Sequence, residues 1–342
     1  MKKAIVLFNL GGPDSLDNVE PFLFNLFNDP AIINLPTFLR YPLAKFISKK
    51  RAPTTKKIYE ELGGSSPILK LTMEQSEKLE KKLNESNNYD KYKCFVVMRC
   101  WHPRAAKVIN DVKLFNPEEI ILLPLYPQYS ASTSGSSIKE WNDICKTNNY
   151  QTKTSIICCY PTDKNFIKAH ILEIKKKISD INNYKLIFSA HGLPEKNIKN
   201  GDPYQWQVEQ TVNEIVNLLD IKNLDWILSY QSRVGPLKWI GPSTDNIIIE
   251  NAKLGKYIVV VPIAFVSEHS ETLVELDIEY KKLAQKNGCN KYIRIPALGI
   301  SDAFIDSLSN LIINKDENQF NDNIFSPKNK CPSNFIKCPC QR

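Results

Sequence analysis

The stretch LIFSAHGLPEK, residues 186–196, places a histidine where an apolar run stops. The run Lys185–Ala190 has the character of a buried strand, and Gly192 and Pro194 make the chain turn directly after His191. In open α/β folds, ligands bind outside the carboxyl ends of the strands. We therefore expect His191 at the rim of a sheet, where an imidazole can take up a proton or bind a metal ion near neutral pH.

A second stretch, VPIAFVSEHSETLVELDIEY at residues 261–280, brings carboxylates together with another histidine. An apolar strand ends in it at Phe265, and a helix is expected to follow. Glutamates recur along this helix at i, i+3, i+7 and i+11 and are expected to share one face: Glu268, Glu271, Glu275 and Glu279. Like charges in such a row cost roughly 0.2–0.5 kcal/mol per pair unless a cation occupies the face. A metal ion is one such occupant, and a solvated helix face is the alternative.

The histidine of this second stretch favours the metal ion. His269 stands beside Glu268 and Glu271, after the end of a strand. Imidazole and carboxylate together suit a borderline divalent ion such as Fe²⁺, whereas an all-carboxylate set would suit Mg²⁺ or Ca²⁺. The chain has no H-E-x-x-H element and no pair of C-x-x-C elements, so a standard zinc protease or zinc finger is not supported.

The elements that must position these residues alternate in type along the chain. Eight apolar, β-branched runs are predicted as strands: residues 4–10, 94–100, 119–126, 155–160, 185–190, 225–230, 257–265 and 291–295. Amphipathic stretches between them are predicted as helices, among them residues 72–83, 165–178, 207–219 and 271–284. This alternation predicts an α/β architecture with parallel sheets covered by helices on both faces. Eight strands divide naturally into two sheets of about four, in two halves with a cleft between them.

One segment, residues 21–53, does not follow the alternation. It is rich in Phe, Leu and Ile, contains several prolines and ends in Lys49-Lys50-Arg51. The plainest interpretation is a short helix pair packed on the core. The alternatives are an apolar lip for a large apolar ligand, or a monotopic foot that lies on a membrane with a basic edge.

Composition narrows the class of protein. The 342 residues include 45 Lys and Arg against 37 Asp and Glu, a net charge of +8 that is spread along the chain, and no nucleic-acid-binding motif accompanies it. No run of about 20 apolar residues is present to span a membrane. The N-terminal MKKAIVLFNLGGPD is interpreted as a first strand and its turn, not as a signal peptide. We expect a cytoplasmic protein whose scattered cysteines are reduced thiols.

Seven segments, in order along the chain, are similar to the signature motifs of one family. They are LFNLGGPDS, GGSSPI, MRCWHP, LPLYPQYSASTSGSS, FSAHGLP, SYQSRVGPLKWIGP and FVSEHSETLVELDIEY, and the similarity extends from Leu7 to about Ala297. The chain resembles the ferrochelatases, which insert ferrous iron into a porphyrin to make haem. The resemblance implies two similar Rossmann-like domains, each a roughly four-stranded parallel sheet flanked by helices, with the porphyrin in the cleft between them.

The domain limits follow from this interpretation. We expect the first domain over residues 1–130, including the apolar segment 21–53, and the second over residues 131–304. Residues 305–342 are expected to form a C-terminal helix that returns to the first domain, followed by a cysteine-containing tail.

The resemblance also implies site residues. By motif position His191 corresponds to the active-site histidine of the family, and Glu271 to the glutamate that faces it across the porphyrin plane. His269 and Glu275 match further residues of the acidic helix, and Glu268 lies on the same predicted face. Whether His191 acts as base or as metal ligand is left open, so His191 and Glu271 are expected in both roles. Fe²⁺ is expected as a substrate, and its insertion releases two protons.

Other motif residues are candidate walls of the porphyrin pocket. Aromatic side chains can stack on a macrocycle, and Arg99 or Ser132 can meet a propionate. The remaining wall candidates are Met98, Tyr126, Tyr129 and Trp239. For each of these residues, packing in the core or in a loop is the alternative.

The tail CPSNFIKCPC holds Cys331, Cys338 and Cys340. Some ferrochelatases, including animal ones, carry a 2Fe–2S cluster bound by three C-terminal cysteines and one internal cysteine, for which Cys158 or Cys159 is available here. The C-x₆-C-x-C spacing departs from the animal arrangement. A disordered tail with unligated thiols is the alternative.

The resemblance therefore implies a lyase that converts protoporphyrin IX and Fe²⁺ to haem, the final step of haem biosynthesis, in the cytoplasm or peripherally on the inner membrane surface. The alternatives are a coproporphyrin ferrochelatase, a cobalt chelatase for a more polar tetrapyrrole, and a porphyrin or haem carrier without turnover. The apolar residues 21–47 favour the less polar substrate, and the paired His191 and Glu271 argue against a carrier. No nucleic-acid partner is expected, and the sequence does not indicate an oligomeric state.

Overall fold

The computed structural model describes residues 1–86, 89–178, 183–233, 235–321, 324–325 and 331–341. Contacts between residues divide the chain into two compact units. The first unit comprises residues 1–158 with 308–326, and the second comprises residues 159–307 with 327–342.

The described strands and helices alternate along the chain. The strands are β1 (Lys2–Asn9), β2 (Lys91–Met98), β3 (Glu119–Pro124), β4 (Lys153–Ile157), β5 (Tyr184–His191), β6 (Trp226–Gln231), β7 (Tyr257–Pro262), β8 (Tyr292–Arg294), β9 (Gln319–Asn321) and β10 (Ile324–Phe325). The α-helices are α1 (Val19–Phe27), α2 (Thr37–Glu60), α3 (Ile68–Ser86), α4 (Ala105–Phe115), α5 (Ser134–Thr147), α6 (Lys164–Lys177), α7 (Glu195–Lys199), α8 (Tyr204–Leu219), α9 (Thr244–Lys253), α10 (Tyr280–Lys286) and α11 (Asp302–Ile313). A π-helix, Glu271–Glu279, leads directly into α10.

The predicted fold class is confirmed. Each of the eight apolar runs contributes a strand, β1 to β8, and all neighbouring strands among these eight are parallel. The first sheet has the order β2-β1-β3-β4-β10-β9, and the second has the order β6-β5-β7-β8. Apart from the short β10 and the antiparallel β9, the two sheets therefore have the same strand order.

This shared order determines where each unit can place a site. In the first sheet β1 lies between β2 and β3, and in the second sheet β5 lies between β6 and β7. The strand order therefore reverses beside β1 and beside β5, and ligands of open α/β sheets bind at the carboxyl ends of strands at such a point.

Each unit has an apolar core on its sheet. In the first unit the side chains of Ala4, Val6 and Phe8 from β1 pack with α4 and α5, and the Phe8 and Trp141 rings meet edge to face with centroids 6.2 Å apart. In the second unit, Ile258 and other β7 residues pack against α9, the π-helix and α10. Buried parallel strands explain the near-continuous apolar runs in the sequence.

The contact-based division differs in position from the expected domain limits. Residues 131–158 belong to the first unit because α5 packs on its core and β4 pairs with β3. Residues 308–326 also belong to the first unit, where the Lys315 ammonium lies 3.1 Å from Glu119 Oε1. The expected limits at 130 and 304 remain a prediction about domains.

The apolar segment 21–53 forms α1 and most of α2. In α1 the residues Val19, Phe22 and Leu23 are buried, as a helix packed on the core requires. The 24-residue α2 is longer than the short helix expected there, and Phe38 and Phe46 are 75% and 64% exposed. No helix in the described part of the chain is long and apolar enough to cross a membrane.

Candidate active site

Strand β5 brings His191 to the carboxyl edge of the second sheet, as the sequence predicts. The strand is almost entirely buried, and the side chain of its last residue, His191, is 34% exposed. The imidazole Nδ1 lies 2.5 Å from the main-chain oxygen of Gly192, which can only accept a hydrogen bond, so Nδ1 carries the hydrogen. Nε2 of the neutral ring is then available to accept a proton or bind a metal ion.

The loop that follows β6 packs Trp239 beside this histidine. Pro194 and Trp239 pair in an antiparallel bridge, and the ring centroids of Trp239 and His191 are 6.4 Å apart. Gly192 allows the close approach, because a Cβ atom there would lie 3.0 Å from the Gln231 main-chain oxygen and 3.2 Å from the Trp239 ring. The structure therefore places the predicted wall residue Trp239 next to the predicted catalytic histidine.

Glu271 lies between two histidines. Its Oε1 is 3.6 Å from His191 Nε2, and its Oε2 is 3.6 Å from His269 Nε2. Both distances exceed that of a hydrogen bond, so the interaction is an attraction of charges when the rings are protonated. The Phe265 ring, which the sequence did not predict as part of the site, contacts the imidazoles of His191 and His269, with ring centroids 6.4 Å and 4.5 Å away.

Opposing effects set the charge of Glu271. Burial alone raises the pKa of this carboxyl, but positive charge on His191 and His269 outweighs burial and lowers the pKa to about 2. The side chain is therefore a carboxylate at neutral pH and can attract a cation. Among the described residues, the buried Nδ1 of His269 has no hydrogen-bond partner.

Glu275, one turn further along the π-helix, is held by neutral donors. Its Oε1 accepts hydrogen bonds from the Ser232 main-chain N–H (2.9 Å) and the Tyr280 hydroxyl (2.8 Å). Its Oε2 accepts from the Ser232 hydroxyl (2.5 Å) and from Gln231 Nε2 (3.1 Å). Burial and the neighbouring charge of Glu271 nevertheless raise the pKa of Glu275. The carboxylates of Glu271 and Glu275 thus lie in opposite electrostatic environments.

The predicted single face of four glutamates does not form. Glu268 precedes the helix, and its Oε1 accepts hydrogen bonds from Arg294 Nη1 (2.6 Å) and the Ala297 main-chain N–H (3.0 Å). Glu279 is exposed. Of these four glutamates, Glu271 is the one that the described structure pairs with the histidines, whereas Glu268 pairs with an arginine from β8.

The helix that carries these glutamates also differs from the prediction. An α-helix was expected over residues 271–284, but residues 271–279 are π-helical and only α10 is regular. In a π-helix the hydrogen bonds run from i to i+5, and such turns occur frequently at functional sites. The wider turn changes which side chains share a face, so α-helical spacing did not apply here.

In the first unit, Arg99 follows β2 and is surrounded by partners. Its guanidinium lies 2.9 Å from Asp29 Oδ2 and 3.4 Å from Glu140 Oε1, and it donates a 2.8 Å hydrogen bond to Ser136. Arg104 also pairs with Glu140. Arg99 therefore serves a buried ion-pair network in this structure, and its predicted role with a propionate remains untested.

The other predicted wall residues of the first unit are largely buried. Met98 is fully buried at the end of β2, and Tyr129 is buried in the loop after β3. Burial raises the pKa of Tyr126. The Ser132 hydroxyl lies 2.8 Å from the Ser130 hydroxyl. These positions fit packing roles, and contact with a porphyrin remains a prediction for each.

The cysteines of the tail gather in the second unit. The hydrogen bond with Cys338 and burial raise the pKa of the Cys331 thiol, and Cys338 also contacts Cys340. Gln207 Nε2 donates to Cys159 Sγ (3.4 Å) and to Cys331 Sγ (3.2 Å). Cys159 therefore shares a hydrogen-bond donor with the tail.

No group of three His, Cys, Asp or Glu side chains in the described residues is arranged to hold a metal ion. The arrangement around His191 offers one available imidazole nitrogen, one ionised carboxylate and aromatic surfaces of Trp239 and Phe265. This combination can accept protons from a flat aromatic molecule and attract a cation at the same place.

Comparisons with known proteins identify the family. A sequence model described as ferrochelatase matches residues 2–316. The chain is 73% identical over 340 residues to a ferrochelatase of Pelagibacter ubique (strain HTCC1062), covering 99% of both chains. It is 50% identical over 340 residues to one of Rickettsia bellii (strain OSU 85-389), covering 98% of this chain and 94% of that one.

Solved structures agree with this fold. SirB from Bacillus subtilis with Fe³⁺ aligns with a TM-score of 0.55 at 14% identity, covering 94% of this chain and 99% of that one. CbiX, described as the terminal enzyme for siroheme biosynthesis in denitrifying bacteria, aligns with a TM-score of 0.50 at 10% identity, covering 92% and 99%. From the family match and the full-length identities, the chain belongs to the ferrochelatase family, enzymes that insert iron into a porphyrin in haem biosynthesis.

Proposed function

We propose that His191 and Glu271 perform the proton and metal chemistry of iron insertion, with protoporphyrin IX and Fe²⁺ as substrates. The observation that supports this most directly is the orientation of His191. Its Nδ1–H is held by the Gly192 carbonyl, and its Nε2 faces Glu271 across 3.6 Å.

The proposed reaction begins with proton removal. A porphyrin loses two N–H protons as iron enters. Nε2 of neutral His191 accepts one of them, and the resulting imidazolium is stabilised by the Glu271 carboxylate. Because the pKa of Glu271 is about 2, this side chain stays ionised and can also attract the incoming Fe²⁺. His191 passes this proton to solvent and then accepts the second N–H proton in the same way.

The test is anaerobic insertion of Fe²⁺ into protoporphyrin, followed by the shift of the Soret band. His191→Ala is expected to lower kcat by about 10²–10⁴-fold while porphyrin binding is retained. His102→Ala, which changes an exposed histidine of the first unit, is the matched control and should keep wild-type turnover. Porphyrin binding by wild type without turnover would favour a carrier and contradict the proposal.

The choice of substrate rests on residues 21–47. Their exposed apolar surface suits protoporphyrin, which has fewer carboxylates than coproporphyrin. The ratio of kcat/KM for the two porphyrins, and for Fe²⁺ against Co²⁺, separates the proposed activity from a coproporphyrin ferrochelatase or a cobalt chelatase. Preference for coproporphyrin or for Co²⁺ would overturn this choice.

We also propose that the protein is cytoplasmic and makes peripheral contact with a membrane through α2. This helix buries its small residues Ala44, Ser48 and Ala52 and exposes large apolar ones. The exposed apolar side chains of α2 and of the residues just before it are Ile32, Leu35, Phe38, Leu39, Tyr41, Leu43 and Phe46. Exposed Lys49 and Lys50 follow on the same helix, as expected for a helix lying on anionic lipid.

Sedimentation with vesicles of phosphatidylglycerol and phosphatidylcholine tests this contact. The double variant Phe38→Ser/Phe46→Ser should lose most vesicle binding. The control Leu114→Ser/Leu254→Ser removes side chains of comparable exposure, 84% and 72%, from other surfaces and should bind as wild type does. Equal binding by both double variants, or no binding by wild type, would contradict the proposal.

A third proposal concerns the tail. We propose that Cys159, Cys331, Cys338 and Cys340 hold a 2Fe–2S cluster once the tail rearranges, since they are not arranged as metal ligands in the described residues. Cysteine thiolates are the usual ligands of such a cluster. Gln207 donates to Cys159 and Cys331, and Cys338 contacts Cys331 and Cys340. A bound cluster would cross-link the tail to residue 159 and so stabilise the second unit.

Iron and sulfide content and visible absorption after anaerobic purification test for the cluster. Cys338→Ser should abolish both signals. Cys289→Ser, a buried cysteine whose thiol contacts the main-chain oxygens of Lys256 and Lys291, is the matched control and should retain them. Iron-free wild-type protein that cannot be reconstituted with Fe²⁺ and sulfide would contradict the proposal.

A further inference from the structure

A buried amide connects the strand of the catalytic histidine to the helix of the catalytic glutamate. Gln231, 1% exposed, lies opposite His191 in the register of β5 and β6. Its Oε1 accepts a 2.7 Å hydrogen bond from the Ser189 hydroxyl on β5. Its Nε2 donates to the main-chain oxygen of Glu271 (3.2 Å) and to Glu275 Oε2 (3.1 Å). One side chain therefore spans from β5 to the first turn of the π-helix.

The next residue adds a second connection to the same helix. Ser232 has φ = 62°, a left-handed conformation that a residue with a side chain rarely adopts. In this conformation its main-chain N–H and its hydroxyl both donate to the Glu275 carboxylate. Strained residues of this kind persist where the surrounding structure holds them, and they cluster at active sites.

These contacts are made to the first turn of the π-helix. π-helical turns are rare, and they occur frequently at functional sites. Glu271 is its first residue, so the position of the Glu271 carboxylate depends on what holds the first turn. The held groups are the main-chain oxygen of Glu271 itself and the side chain of Glu275. Both lie on the turn that presents Glu271 to His191.

We propose that Gln231 and Ser232 are positioning residues for iron insertion. Through the Glu271 main-chain oxygen and the Glu275 carboxylate, they hold Glu271 at its distance from His191. We call Gln231 and Ser232 together the clamp. Glu275 is its anchor, because the two oxygens of the Glu275 carboxylate accept hydrogen bonds from four protein donors. The inference rests on the proposed roles of His191 and Glu271.

Two substitutions of Ser232 separate positioning from stability. Ser232→Ala and Ser232→Gly both remove the hydroxyl, but only glycine relieves the left-handed backbone. We expect kcat to fall about tenfold in both variants, because Glu271 is then held less well at its position opposite His191. The KM for protoporphyrin should change less than about twofold, because substrate contacts are intact. The thermal midpoint of Ser232→Gly should exceed that of Ser232→Ala.

Gln231→Glu tests the amide in the same way. The new carboxylate keeps the acceptor for Ser189 but sets an oxygen against the Glu271 main-chain oxygen and Glu275, so kcat should fall further than in Ser232→Ala. Gln285→Glu, on the exposed side of α10, controls for the added charge. Ser243→Ala removes a buried hydroxyl that has no hydrogen-bond partner in the described structure, and it controls for the loss of a hydroxyl. Both controls should turn over at the wild-type rate.

The outcomes are distinguishable from failure of the proposed function. If wild type turns over and His191→Ala does not, the proposed function holds. Wild-type kcat in Ser232→Gly would then overturn the positioning role, because this variant lacks the hydroxyl that is proposed to hold Glu275. Wild-type kcat in Gln231→Glu would also overturn it.

Discussion

The two sheets share one strand order, yet the corresponding strands β1 and β5 end in side chains of different type. β1 ends at Asn9 and β5 ends at His191. Asn9 is 6% exposed, and both ends of its amide are used: Nδ2 donates to Thr72 Oγ1 at 3.1 Å, and Oδ1 accepts from the main-chain N–H of Leu10 at 2.8 Å. His191 uses only Nδ1 in this way. Topology therefore supplies the position, and the hydrogen bonds decide whether both polar atoms of the side chain are used or one remains available.

The next residues along β2 and β6 repeat this contrast. Arg99 follows β2 and is neutralised by Asp29 and Glu140 within a buried network. Ser232 follows β6 and holds Glu275 with neutral donors instead of a cation. Arg99 is thus fixed by its charged partners Asp29 and Glu140. Glu275 is instead fixed by hydrogen bonds from uncharged groups.

The largest expected effect is on the stability of the first sheet. Arg99→Met leaves the buried Asp29 carboxylate without its cation, so the unfolding free energy should fall by about 3–5 kcal/mol. Urea denaturation followed by circular dichroism measures the loss. If Arg99 serves the network and not the substrate, the folded fraction of the variant should bind porphyrin with wild-type KM.

The control for this variant is an exposed ion pair of the second unit. Arg233→Met breaks the ion pair with Asp245, and both side chains of this pair are more than two-fifths exposed. The unfolding free energy should therefore fall by no more than about 1 kcal/mol. A loss of equal size in Arg99→Met and Arg233→Met would remove the distinction between a buried and an open network. A raised KM in Arg99→Met would restore the propionate role.

An intermediate effect is expected for Glu268. Glu268→Gln removes one of the two carboxylates that pair with Arg294 and leaves Asp277 as the other, so the unfolding free energy should fall by about 2 kcal/mol. Because Glu268 faces Arg294 and not the histidines, kcat should stay within about twofold of wild type. Turnover and urea denaturation on the same preparation give both values. A large drop in kcat would return Glu268 to the predicted metal-binding set.

The smallest expected effect is a pH dependence from Glu271. Its pKa in the folded protein is about 2, below the ordinary value of 4.5, so the carboxylate adds stability above pH 4.5 that is lost as the pH falls toward 2. Between about pH 5 and pH 3, wild type should therefore lose about 1 kcal/mol more unfolding free energy than Glu271→Gln, after allowance for solvent screening.

Urea denaturation across this pH range makes the comparison. Glu209→Gln serves as the control, because burial raises the pKa of Glu209 instead of lowering it. Removing that carboxyl should not reduce the stability lost on acidification. Parallel curves for wild type and Glu271→Gln would show that the histidines do not hold the Glu271 charge.

Much of the fold was predictable because apolar runs bounded by turn residues indicate buried strands directly. β1 to β8 were found in this way, and so was the position of His191 before Gly192 and Pro194. The hydrogen bonds of Gln231 and Ser232 were not predictable, although both residues lie within the SYQSR segment. A polar pair after a strand has no distinctive periodicity, and its partners lie about 40 residues away in the sequence.

By itself, the sequence determined the α/β class, the strands, the family and the residue types available for chemistry, because these depend on local patterns and on motif order. Only the tertiary structure decided how the glutamates divide their roles. Arg294 neutralises Glu268, two imidazoles lower the pKa of Glu271, and Gln231 with Ser232 holds Glu275. The reason is physical: the charge of a carboxylate depends on burial and on the groups within a few ångströms, and those groups come from distant strands.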